Sequence, residues 1–232
     1  MEKFTTKISG KTIYTYTSIN ARVLIVQPID DHDLSLLDNE VDAIVAATGD
    51  CFCLVGIKID EWQEELSPWQ APPVFGKQGF GTGAKLTLDF IESVLLPELK
   101  NNRIYNPASM KCLLGGYSLA GLFALWAGYN TTVFDGVAAV SPSVWFPRWV
   151  DYATSNTIAT PQVYLSLGDK EERTKNQVMA QVGKALRLTY SALNEQGVKT
   201  ILEWNPGNHF CQPHVRMARG FAWLINNCLH DA

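Results

Sequence analysis

The feature that most constrains this chain is an alternation. Short apolar runs of strand length recur at residues 22–27, 51–57, 111–114, 137–140 and 163–167, and a last strand is expected over 199–204. Helical patterning fills the spaces between them, at residues 33–47, 86–96, 119–128 and 176–196, and a last helix is expected over 213–229. In the 176–196 stretch Val178, Val182, Ala185, Leu186, Thr189 and Leu193 share one face, and Gly197 stops it. Strands that are apolar throughout belong in a sheet covered on both sides, and strand–helix–strand connections make that sheet parallel. Ahead of this series, residues 4–8 and 12–17 alternate around Ser9-Gly10, which predicts an antiparallel hairpin. The expected fold class is therefore α/β, with about eight strands, mostly parallel, an N-terminal antiparallel hairpin and helices on both faces. Residues 60–83, rich in Trp, Pro and Gly, read as a long ordered loop. No repeat or long linker divides residues 1–232, so one domain is expected.

Composition narrows the partners. At 47% hydrophobic and 18% charged residues the chain can bury a large core and is not a disordered type. Its formal net charge of −4, with no cluster of Lys and Arg, gives no electrostatic reason to bind nucleic acid. Met1-Glu2-Lys3-Phe4 runs directly into the hairpin without an apolar leader, and no run of about 18 apolar residues is present, so no membrane span is expected. Cys51, Cys53, Cys112, Cys211 and Cys228 form no CxxC or zinc-like spacing. They read as free thiols in a reducing cytoplasm, with no metal and no cofactor.

The chemistry concentrates at Gly115-Gly116-Tyr117-Ser118-Leu119-Ala120-Gly121, where a strand ends and a helix begins. A serine held on a sharp strand-to-helix turn needs small neighbours two residues away on either side, and Gly116 and Ala120 supply them. The pattern G-x-S-x-[GA] arises by chance in roughly one chain in six of this length, so its position has to decide. A serine hydroxyl is a weak nucleophile that needs a base, and the base needs an orienting acid, in the chain order Ser, acid, His. The loop after residue 167 holds Asp169, Glu171 and Glu172, and any of the three fits the acid by position. The loop after residue 204 holds His209, behind Pro206-Gly207-Asn208. Both loops lie past the C-terminal ends of strands, where sites of parallel sheets gather. His214 is the fallback base, and His32 and His230 read as ordinary surface residues.

The amide of Leu119, at a helix N-terminus, is an expected oxyanion donor. The second donor should come from the loop after the third strand, with Ile29 first and Asp30 next, since Pro28 has no N–H. Asp30 and Asp31 fit equally well as helix N-terminal charges. Only residues 141–162 separate two neighbouring strands, too little for an inserted lid, so the site should be open. Trp145, Phe146 and Trp149 are candidates for an aromatic substrate-binding wall, and Trp62 and Trp69 are further pocket candidates.

Residues 115–124 (Gly-Gly-Tyr-Ser-Leu-Ala-Gly-Leu-Phe-Ala), 141–145 (Ser-Pro-Ser-Val-Trp), 167–171 (Leu-Gly-Asp-Lys-Glu) and 207–210 (Gly-Asn-His-Phe) resemble the putative-esterase family of α/β hydrolases. That family includes enterobactin-type siderophore esterases, feruloyl esterases, S-formylglutathione hydrolases and antigen 85 mycolyltransferases. The resemblance implies the α/β-hydrolase fold without a large lid. It also implies hydrolysis of a small-molecule carboxylic ester by Ser118 and His209, without a cofactor. The feruloyl esterase pattern maps the acid onto Glu171, with Asp169 next. Ala120 departs from the glycine usual at its place. An acyltransferase on the same site, or a non-catalytic binding module of the same fold, are the alternative functions.

Overall fold

Ser9 and Gly10, at φ 48° and 88°, fold β1 (Glu2–Ile8) back onto β2 (Lys11–Thr17). Two successive positive φ values make the tight turn whose twist suits a hairpin. The structure, a computed structural model, describes residues 1–230. The side chain of His230, and with it the surface reading of that residue, lies outside the description. After the hairpin come β3 (Val23–Ile29), α1 (Asp31–Thr48), β4 (Phe52–Lys58) and the short α2 (Trp62–Glu65). Next are α3 (Ala84–Phe90) and α4 (Leu96–Asn101), joined by a π-helical turn at Ile91–Leu95. The second half contains β5 (Lys111–Tyr117), α5 (Leu119–Asn130), β6 (Gly136–Val140) and α6 (Trp149–Ser155). It ends with β7 (Gln162–Gly168), α7 (Val182–Glu195), β8 (Lys199–Asn205) and α8 (Pro213–His230).

The eight strands form one sheet in the order β1-β2-β4-β3-β5-β6-β7-β8. β2 pairs antiparallel with β1 and β4, and every other neighbouring pair is parallel. Alternate residues of each strand serve opposite cores. Val23 and Ile25 face Leu37, Val41 and Ile44 of α1 and Phe221 and Leu224 of α8. Leu24 and Val26 face the other layer, with Leu88, Ile91, Phe123 and Leu186. The C-terminal ends of β3, β5, β6, β7 and β8 therefore emerge along one edge of the sheet, between the two helical layers.

Several boundaries differ from expectation for identifiable reasons. α1 starts at Asp31 because Asp30 caps it: the Asp30 carboxylate accepts from Asp33 N–H at 2.8 Å, and the Asp33 side chain accepts in return from Asp30 N–H at 3.3 Å. The helix expected over 176–196 becomes regular only at Val182. Asn176 Oδ1 accepts from Val178 N–H and Met179 N–H, a local turn that competes with helix, and Val178 is left 44% exposed rather than buried. The 60–83 loop contains α2 and an antiparallel bridge between Ala71 and Phe80. Among the described residues no helix is long and apolar enough to cross a membrane.

Candidate active site

Ser118 sits between β5 and α5 at φ 57°, ψ −118°, a backbone region that costs a non-glycine residue of order 1–3 kcal/mol. The surroundings hold it there. Ser118 N–H donates to Val140 O at 3.1 Å, and Ser118 O accepts from Ser143 N–H at 2.9 Å. A Cβ on Gly116 would lie 2.4 Å from the Ala120 carbonyl carbon and 2.6 Å from the Ala120 Cβ, so both positions must stay small. A Cβ on Gly121 would lie 2.9 Å from Gly116 O, which is why glycine opens the way for α5 to pack against the sheet.

His209 and Glu171 meet at the ends of β8 and β7. His209 Nδ1 lies 2.7 Å from Glu171 Oε2. Glu171 Oε1 accepts from Ser141 Oγ–H and from Gly168 N–H, both at 2.7 Å, and from Arg216 Nη1 at 3.0 Å. Burial works to raise the Glu171 pKa, but the hydrogen bond and charge of His209, helped by Ser141 and the Gly168 amide, outweigh it and hold the carboxyl below the usual range. With Nδ1 facing the carboxylate, Nε2 is the imidazole nitrogen left to exchange a proton. The Ser118 hydroxyl rests 3.4 Å from Ser143 Oγ, and Ser118 and His209 line the same two cavities.

The other two candidate acids face elsewhere. Asp169 Oδ1 accepts from Gly207 N–H at 2.8 Å and so ties the acid loop to the histidine loop. Glu172 forms a forked pair with Arg187 at 2.7 and 2.9 Å on the surface. Removing that exposed pair by Glu172→Ala is expected to cost less than about 1 kcal/mol and to leave kcat within about twofold of the native value, read by denaturation and initial rates. His214 lies in the first turn of α8 with a buried, unpartnered Nδ1 and borders neither cavity. His32 is exposed, yet it lines the smaller cavity beside Ser118.

Leu119, the first residue of α5, lines the larger cavity beside Ser118. The two candidates for the second oxyanion donor lie in different surroundings. Ile29 is fully buried and still paired with Lys58 in the β3–β4 ladder, whereas Asp30 has left the strand and lines the smaller cavity with Ser118 and His209. The Asp30 N–H is directed at the Asp33 carboxylate of the cap. Burial, with Asp30 adding repulsion, raises the Asp33 pKa to about 6.

The larger cavity measures about 730 Å³ and is walled by Trp62, Phe75, Phe80 and Trp145. Trp145 packs edge-on against Phe75 and Phe80, with ring centres 6.3 and 6.0 Å apart. Phe146 and Trp149 are not on the wall, contrary to expectation. Trp149 opens α6 and is fully buried, donating its indole N–H to Thr189 Oγ1 at 3.1 Å. Phe146 packs inside against Phe80 and Trp69, and Trp69 spends its N–H on Pro147 O at 2.9 Å. Phe75 and Phe80 were hidden in the irregular 60–83 loop, whose bridge turns both toward Trp145. Ser141, in the segment expected beside the site, lines the larger cavity. Nothing in the local sequence points to Tyr117 as a partner of the site, whereas Arg216 leaves a signal: a charged residue beside the apolar stripe of α8 that contains Met217, Phe221 and Leu224.

The strand order, the strained serine at the end of β5 and the sites at the ends of β7 and β8 define an α/β-hydrolase fold. The model of the family described as "Putative esterase" matches residues 45–199, most of the chain, and the chain belongs to that family. It is a carboxylic ester hydrolase. Uncharacterized protein YbbA of Bacillus subtilis is 24% identical over 176 residues, covering 70% of this chain and 68% of that protein. Siderophore hydrolase EstA from Aspergillus nidulans superposes with a TM-score of 0.71 at 20% identity, covering 97% of this chain and 93% of that one. The enterobactin esterase FES from Shigella flexneri, solved in the presence of 2,3-Di-hydroxy-N-benzoyl-serine, gives a TM-score of 0.71 at 17% identity. There the match covers 99% of this chain and 60% of the longer FES chain.

Proposed function

We propose that the protein hydrolyses carboxylic esters of aromatic or otherwise bulky acids through a Ser118–His209–Glu171 triad and an acyl-enzyme. The observation that carries this reading is the 2.7 Å contact between His209 Nδ1 and a buried carboxylate, beside a cavity that the strained Ser118 shares. Ser118 Oγ turns from Ser143 toward the imidazole and attacks the ester carbonyl carbon while Nε2 takes its proton. Negative charge gathers on the carbonyl oxygen, where the Leu119 amide and, once released from Asp33, the Asp30 amide donate to it. The carbonyl re-forms, the alcohol leaves with the proton from Nε2, and water repeats the sequence on the acyl-enzyme. Glu171 holds the tautomer and balances the imidazolium in both halves.

The cavity supports this substrate class. Four aromatic side chains wall a space of about 730 Å³, which suits a flat ring better than a short acyl group. The names of EstA and FES, a siderophore hydrolase and an enterobactin esterase, are consistent with an aromatic-acid ester. We read it as a one-domain cytoplasmic enzyme, in keeping with Cys51, Cys53, Cys112 and Cys211 remaining as thiols. A panel of benzoyl, cinnamoyl, acetyl and butyryl esters tests the class. The aryl esters should show the highest kcat/KM, and Trp145→Ala should raise KM for them about tenfold while changing acetyl ester turnover little. Equal loss on all four esters would remove Trp145 from substrate recognition.

A further inference from the structure

Arg216 is 2% exposed, on α8, and borders neither cavity at Ser118. Its guanidinium nevertheless reaches both loops that carry the site. Nη1 donates to Glu171 Oε1 at 3.0 Å, to Ser141 Oγ at 3.1 Å and to the Tyr117 hydroxyl at 3.2 Å. Nη2 donates to Pro206 O at 3.0 Å and Asn208 O at 2.9 Å, the carbonyls before His209. The carbonyl of His209 itself accepts from the Tyr117 hydroxyl at 2.6 Å. Burial pushes the Tyr117 pKa up to about 12, so this hydroxyl keeps its proton and remains a donor. Gly168 completes the arrangement, since a Cβ there would lie 2.5 Å from Gly207 O and 3.0 Å from Arg216 Nη1.

We infer that Arg216 is a positioning residue for ester hydrolysis, a fork that holds Glu171 with one nitrogen and the His209 loop with the other. The two side chains of the acid–base pair come from different loops, so neither local sequence fixes their separation. A planar guanidinium spanning both sets it directly, and a lysine ammonium, a single point of charge, cannot bridge the same acceptors. Its positive charge also favours the ionised carboxylate that the imidazole needs. This inference rests on the triad reading above.

The test compares Arg216→Lys, Arg216→Met, Glu171→Gln and the double variant Glu171→Gln with Arg216→Met, alongside Ser118→Ala, with rates expressed per folded molecule by circular dichroism. Arg216→Lys should lower kcat about tenfold to a hundredfold, with KM within about twofold, because geometry is lost while the cavity is intact. Arg216→Met should lower kcat at least as far. It should also move the acidic limb of the kcat/KM profile to higher pH, because loss of the positive charge makes protonation of the Glu171 carboxylate easier. Lysine should leave that limb in place. The double variant, which orphans no buried charge, should lose less than the product of the two single losses.

A merely structural arginine would reduce the yield of folded protein and leave kcat and the acidic limb of the folded fraction unchanged, and that result overturns the inference. Should Arg216→Met fail to fold, the lysine and double variants carry the decision. An inert Ser118→Ala beside fully active arginine variants removes Arg216 from the account and leaves the nucleophile standing. Turnover by Ser118→Ala removes both.

Discussion

Ser118→Ala is expected to lower kcat/KM for any ester substrate by about 10⁴-fold or more, with an unfolding midpoint close to that of the native protein. Without Oγ no acyl-enzyme forms, and the remaining amides and aromatic wall can only bind and polarise the ester. Stability should hold because the hydroxyl contributes one 3.4 Å contact to Ser143 and caps nothing in α5. The backbone strain at φ 57° remains, since alanine carries the same Cβ there as serine. Initial rates and a denaturant melt on the same preparation measure both halves of this expectation.

Glu171→Gln is expected to have the second largest effect, because Glu171 orients the base in the proposed triad and also pairs with the buried Arg216. A glutamine amide that donates to Nδ1 places the imidazole proton on Nε2, the nitrogen that must accept from Ser118, and kcat should fall about 10³ to 10⁴-fold. The change also removes the only carboxylate that contacts the buried Arg216 among the described residues, and an unpaired interior charge costs about 3–5 kcal/mol. The pH dependence has a definite sign. The Glu171 pKa is lowered in the folded protein, so its contribution to stability is complete above the ordinary carboxylate range and is lost as pH falls through the lowered value. The stability gap between native protein and Glu171→Gln should therefore be widest near neutral pH and narrow in acid. Urea melts at neutral pH and near pH 3 measure it, and a gap that widens in acid would contradict the assignment of an ionised, paired Glu171.

The sheet was legible because its five central strands, β3 to β7, are buried on both faces and helices fill most of the gaps between them, a pattern that admits few topologies. Val23 to Val26 illustrate it, with each residue buried against one helical layer or the other. The corner at Ser118 was legible for a related reason. Only small residues fit at positions 116, 120 and 121, and smallness is visible in a sequence. Direction was not. Asp169, Glu171 and Glu172 are equivalent by position, and what separates them is a single 3₁₀ turn at Glu171–Arg173 that sends one carboxylate inward and another out to Arg187. The aromatic wall is only partly visible in the sequence for the same kind of reason: Trp145 lines the cavity, and Phe146 and Trp149 do not. Trp149 and Phe146 lie in the same short segment as Trp145, and their burial comes from long-range packing, Trp149 against Thr189 of α7 and Phe146 against Trp69 and Phe80, that local pattern does not encode. Phe75 and Phe80 come from an irregular loop that has no periodicity to read.

We propose Ser118 as the group that His209 makes nucleophilic. Labelling with a fluorophosphonate, followed by peptide mass spectrometry, is the decisive measurement. One adduct is expected, on the peptide that contains Ser118, abolished by Ser118→Ala and strongly slowed by His209→Ala. An adduct carried instead by Ser141 or Ser143, or labelling of Ser118→Ala at the native rate, would contradict it.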